Sequence, residues 1–166
     1  MPDRSRQHDA DLPTGADRDQ GGHWRPPAGS RPTTAAPTPR VLAVIAAGGI
    51  LGSLARYGLA LALPALSGTF PWATFLANVS GSLLLGLLLV ILAEVLAPSR
   101  YLRPFLGVGV LGGYTTFSTY TFDARSLLAV GHGPLALAYV FGTLAACLLA
   151  TLVGIWLGRL LERRAR

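Results

Sequence analysis

The chain has no lysine, one cysteine (Cys147) and one methionine (Met1) in its 166 residues. A single cysteine excludes an intrachain disulfide and any cysteine-built metal cluster. Without lysine, the Gly-rich phosphate loop that ends in Lys cannot form, so ATP-driven work has no obvious site. Acidic residues are also few, eight against fourteen Arg, which leaves a formal charge of +6. So basic a balance first suggests nucleic acid. The Arg residues, however, sit in the N-terminal segment and at the ends of apolar runs, with no basic stripe. The three His (His8, His23, His132) pair with no nucleophile, so an enzyme is not expected. What the chain has in abundance is apolar sequence: 51% hydrophobic residues, only 13% charged, and a mean hydropathy of +0.48. A soluble domain of this size lacks the charge to cover so much apolar surface.

Residues 1–40 differ from the rest. They hold six Arg, five Asp and seven of the twelve Pro, too polar a mixture to bury a core. A disordered N-terminal tail is expected there. It is not read as a signal peptide, because no apolar segment follows the start, so the first apolar run is expected to persist as an anchor. Four apolar runs follow, at about 41–63, 72–97, 105–131 and 135–158, before a basic C-terminal tail over 159–166. Each exceeds the roughly 20 residues needed to cross a hydrocarbon core. The remaining prolines (Pro64, Pro71, Pro98, Pro104, Pro134) all fall between runs, where helices must end. The pattern predicts an all-α integral membrane protein of four transmembrane helices.

Small residues recur at helical spacing: Gly48 with Gly52, Gly109 with Gly113, and Gly154 with Gly158. Each pair lets a neighbouring helix approach closely. The third run carries Gly112-Gly113 and then Thr115, Thr116, Ser118, Thr119 and Thr121, poor choices for a helix facing lipid. Irregular backbone at membrane depth survives only under protein or beside a water-filled cavity, so a broken helix is expected here. Such a break exposes carbonyls at one half-helix end, which suit a cation, and amides at the next, which suit an anion.

Three segments in register now resemble the Fluc (CrcB) fluoride channel family: Gly48 to Tyr57, Thr74 to Ser82, and Gly112 to Thr119. The resemblance covers roughly residues 41–158. It implies an antiparallel, dual-topology dimer of four-span subunits with two fluoride pores and a structural sodium ion at the dimer centre. On matching positions, the main-chain carbonyls of Gly112 and Thr115 would hold the sodium. Phe117 and Tyr120 occupy positions where the family has two phenylalanines along the fluoride path, and Tyr120 departs from that pattern with an added hydroxyl. Tyr139 and Thr143 resemble a polar track on the fourth span. Asp123 occupies an acidic position near a vestibule, where it either stays with the polar track, pairs with Arg125 or meets interfacial water.

Fluoride is small and strongly hydrated, so a dry path must replace its water with hydrogen-bond donors. Asn78 offers amide protons, and the hydroxyls of Thr116 and Ser118 offer one each. Thr74, Asn78 and Ser82 follow at i, i+4 and i+8 and share one helix face. The plainer role for Asn78 is to tie two helices together. Arg56 within the first span costs roughly 2.5–3.5 kcal/mol at the bilayer centre, so it either faces protein and a vestibule or snorkels to the interface.

Both termini fall on one side of an even number of spans. Most Arg near span ends, from Arg40 and Arg100 to Arg159 and Arg163, lie on that side, which predicts cytoplasmic termini in the cell membrane. Such a bias is unusual for a chain that must insert both ways. It suggests one half of a heterodimer with an oppositely oriented partner. The competing readings are a non-conducting or partly conducting subunit of such a heterodimer and a small four-span multidrug antiporter. The antiporter needs a buried carboxylate in its first span, where this chain has Arg56 and no acid.

Overall fold

The computed structural model describes residues 38–92 and 100–165. Most of the segment expected as a disordered tail therefore lies outside the described residues. The described part is all-helical, with no strand among its residues. Helix α1 spans Pro39–Ala62, α2 spans Trp72–Val90, and α5 spans Gly133–Ala165. Between α2 and α5, α3 consists of Pro104–Leu111, wound as a wide π-helix, continued by Gly112–Tyr114. Helix α4 follows at Ser118–Ala129.

Helix starts follow the prolines. Pro39 and Pro104 open α1 and α3, where a missing amide proton costs nothing because first-turn amides lack helical partners. The end of α4 is set by glycine. Gly131 takes φ +81°, a left-handed conformation that other residues adopt only with strain. The Gly131 amide then bonds the Leu128 carbonyl and the His132 amide bonds that of Leu127, capping the last turn.

Helices α1, α2 and α5 are each long and apolar enough to cross a membrane. Their outward faces remain apolar: Ile50, Leu54 and Leu61 on α1, and Phe141, Leu152 and Trp156 on α5, are all more than half exposed. A helix apolar all round belongs in lipid or in a large core. Helix α5 has 33 residues, about 50 Å at the usual rise, and carries the chain in helical form through most of the segment set apart above as a basic tail. By contrast, α3 and α4, at 11 and 12 residues, are each too short to cross alone.

Packing divides into two helix pairs, α1 with α3 and α2 with α5, while α4 also lies on α5. Glycine sets the first pairing. A Cβ on Gly48 would meet the Phe105 carbonyl oxygen at 2.5 Å, and one on Gly113 would meet that of Gly49 at 2.5 Å. A Cβ on Gly52 would collide with the Val110 carbonyl oxygen. Gly86 and Gly154 perform the same service between α2 and α5, against Thr151 and Leu83. Gly154 and Gly158 thus pack helices, as their spacing suggests.

Candidate functional site

The helical backbone stops after Tyr114: Thr115 is extended (φ −79°, ψ 157°), and helix resumes at Ser118. Asn78 on α2 holds this non-helical stretch. Its Oδ1 accepts from the Thr116 amide at 2.8 Å, and its Nδ2 donates to the Thr116 carbonyl at 3.0 Å. One amide proton of Asn78 is therefore committed to the backbone. Asn78 thus ties α2 to this stretch and also lines a cavity.

That cavity, about 640 Å³, lies where α2, α3, α4 and α5 meet. Of the residues singled out from sequence, it brings together Asn78, Ser82, Gly112, Thr115, Thr116, Phe117, Tyr120 and Thr143. Thr74, Asp123 and Tyr139 instead form a second cluster. Thr74 donates to Asp123 Oδ2 at 2.7 Å, and Tyr139 donates to the same oxygen at 3.4 Å. Asp123 is thereby held by two buried hydroxyls, on the polar track rather than against Arg125. Ser118 stands outside the cavity lining, with its hydroxyl 3.3 Å from that of Thr116.

Within the cavity, most polar groups are already satisfied. The Thr115 hydroxyl bonds the Leu111 carbonyl. Thr116 Oγ1 accepts from the Thr119 amide at 3.2 Å and donates to the Thr119 hydroxyl. Tyr120 Oη donates to the Val140 carbonyl at 2.9 Å, so this hydroxyl finds its partner on α5. Thr143 is only 3% exposed, and its Oγ1 has no protein partner. A buried unpaired hydroxyl costs about 1–3 kcal/mol.

Aromatic rings run in sequence beside these groups. Phe117 and Tyr120 have centroids 5.8 Å apart, Tyr120 and Tyr139 5.3 Å, and Tyr139 and Phe70 5.4 Å. Arg56 does not line the cavity. Its Nε donates to the Gly113 carbonyl at 3.2 Å, and Ser53 Oγ approaches the same oxygen at 3.5 Å. A cation at a helix C-terminus is favourable, which offsets part of its burial cost.

The Gly112 and Thr115 carbonyls fit a cation on local grounds. The amides that a continuing helix would give them, those of Thr116 and Thr119, go instead to Asn78 Oδ1 and Thr116 Oγ1. Sequence reasoning missed Cys147 as a lining residue, although its i+4 spacing from Thr143 was signal enough. It also missed Ser53, which carries no distinguishing pattern.

The helices and their apolar faces define a multi-pass membrane protein. Residues 43–155 match the family described as CrcB-like protein, Camphor Resistance (CrcB). The chain belongs to this CrcB family. It is 53% identical over 127 residues to fluoride-specific ion channel FluC 3 of Streptomyces avermitilis, a match covering 76% of this chain and 62% of that protein. It is 48% identical over 124 residues to fluoride-specific ion channel FluC 1 of Streptomyces coelicolor, covering 75% and 78%. With fluoride-specific ion channel FluC of Thermus thermophilus it shares 47% over 116 residues, covering 69% and 92%.

Proposed function

We propose that this chain is a subunit of a fluoride-specific channel that lets fluoride leave the cytoplasm passively. The observation that carries this reading is the cavity that Asn78, Thr116, Tyr120 and Thr143 line together, with the Thr143 hydroxyl buried and without a protein partner. A dehydrated small anion needs such a donor, and its close relatives are named fluoride channels. Neutral HF enters a cell, dissociates inside, and leaves fluoride to flow down its electrochemical gradient without an ATP site.

In this reading α3 and α4 are the two halves of one broken third span. Thr143 and the second amide proton of Asn78 meet the anion, with Thr116, Ser118 and Ser82 beside them. Thr74 acts through Asp123. The edges of Phe117 and Tyr120, which carry partial positive charge, flank the path. Asp123 and Tyr139 set the vestibule, while Arg56 fixes the end of α3. The Gly112 and Thr115 carbonyls would hold sodium, whose fixed positive charge would join two antiparallel subunits at the dimer centre. Phe117, 79% exposed beside the cavity, suits a wall that a second subunit completes.

The Arg bias favours a heterodimer with an oppositely oriented partner. Expression in a bacterium lacking its own fluoride exporter tests both points. A gain in fluoride tolerance from this chain alone supports a homodimeric exporter. A gain only with an oppositely oriented homologue selects the heterodimer, and no gain in either case contradicts export.

A further inference from the structure

We propose that the outward face of α5, toward its C-terminal end, is a binding site for an anionic phospholipid, with Arg159 and Arg163 on the phosphate and Trp156 beneath them. The inference goes beyond the channel reading above and does not depend on it.

One stripe of α5 changes character in the order in which a membrane leaflet does. Leu152, Trp156, Arg159 and Arg163 lie at i, i+4, i+7 and i+11, which share one helix face. Leu152 and Trp156 are each 62% exposed, and both Arg are exposed. Gly154 and Gly158, which pack on Leu83 and Val90 of α2, lie on the opposite side of the helix. The stripe therefore turns outward, from leucine through tryptophan to arginine.

Depth along the helix agrees with that order. Trp156 is the 24th residue of α5, counting from Gly133, and so stands about 36 Å along it. A hydrocarbon core is roughly 30 Å thick. Acyl chains thus reach Leu152, and Trp156 falls in the interfacial layer that Trp favours. Arg159 and Arg163 emerge among the headgroups.

The chemistry at that level selects an anion. Arg159 and Arg163 are one turn apart, about 6 Å along the axis, so both can close on one phosphate. A guanidinium fork matches phosphate oxygens in a bidentate way that an ammonium group does not. Further Arg gather at the same end of the bundle. Arg100 donates to the Thr38 hydroxyl at 3.4 Å, beside Arg40 at the start of α1. Among the described residues this end has one acid, Glu162. It follows Leu161 and precedes Arg163, so it points about 100° aside from Arg163. The summed field attracts an anionic headgroup and disfavours the cationic end of a zwitterionic one.

The probes are phosphatidylglycerol and phosphatidylcholine with the same acyl chains, added to full-length protein in detergent and read by native mass spectrometry. The wild-type protein is expected to take phosphatidylglycerol about tenfold or more in preference, since two Arg near the phosphate each contribute about fivefold. Arg159→Gln with Arg163→Gln is expected to lose that preference. Arg125→Gln, which removes an exposed cation of α4, is expected to keep it. No preference in the wild-type protein, or equal losses in the two variants, would overturn the proposal. So would equal binding of soluble glycerol phosphate, which marks a free-anion site, or a changed subunit number in the double variant, which marks a subunit contact. A wild-type salt series needs no variant: the preference should fade as ammonium acetate rises from about 0.1 to 1 M, and one that persists contradicts exposed charges as its source.

Discussion

Tyr120 on α4 gives its hydroxyl proton to the main-chain carbonyl of Val140 on α5, at 2.9 Å. The bond makes Tyr120 a strut between two helices. Its hydroxyl proton is already engaged by that carbonyl. Removal of that hydroxyl should cost stability more than selectivity. Tyr120→Phe is expected to lose about 0.6–1.7 kcal/mol, the range for hydrogen bonds between membrane helices. Thermal unfolding in detergent measures the loss, and the fluoride-to-chloride flux ratio should hold.

Thr143 calls for the opposite outcome. Thr143→Val keeps the shape of the side chain and deletes a hydroxyl that has no protein partner. Stability should hold or rise, because an unpaired buried hydroxyl costs about 1–3 kcal/mol. Fluoride efflux should fall about tenfold if the hydroxyl replaces water around the anion, since 1.4 kcal/mol corresponds to a factor of ten. A stable variant with undiminished efflux would remove Thr143 from the path.

Asn78 carries two duties that one substitution can separate. Asn78→Asp retains an acceptor for the Thr116 amide but sets a carboxylate oxygen against the Thr116 carbonyl. It also places negative charge beside an anion path, where repulsion is weakly screened. Fluoride efflux is expected to fall by at least about tenfold. Full efflux from folded Asn78→Asp would show that neither the amide donor nor the neutral charge is needed.

Glycine packing can be tested without touching the cavity. A Cβ at Gly52 collides with the Val110 carbonyl oxygen, whereas one at Gly58 has nothing within 4 Å. Gly52→Ala should destabilise by about 1–3 kcal/mol or more. Gly58→Ala should be neutral or mildly stabilising, as alanine favours the helix. Size-exclusion profiles and melting temperatures of the two variants compare them directly.

These residues also show what was legible in the sequence. The long helices were, because lipid demands continuous apolar faces and prolines mark the joints. The glycine pairs were, since the spacing of Gly48 and Gly52 leaves a flat strip on any helix. Specific partners were not. Asn78 and Thr116 are 38 positions apart, and nothing local says that a side-chain amide will take over a backbone bond. Nor does the sequence reveal that the Tyr120 hydroxyl meets Val140, or that Arg56 meets the Gly113 carbonyl. Thr74, Asn78 and Ser82 share a helix face as spaced, yet Thr74 turns to Asp123 while the other two line the cavity. Periodicity fixes which residues share a face, and tertiary approach decides what that face meets.

The most direct measurement is anion efflux from liposomes that contain this purified protein, read with a fluoride electrode beside a chloride control. The expected result is rapid fluoride release with no matching chloride release, from this chain alone or on co-reconstitution with an oppositely oriented homologue. Folded protein that releases no fluoride in either case, or releases chloride equally well, would contradict a fluoride-specific channel.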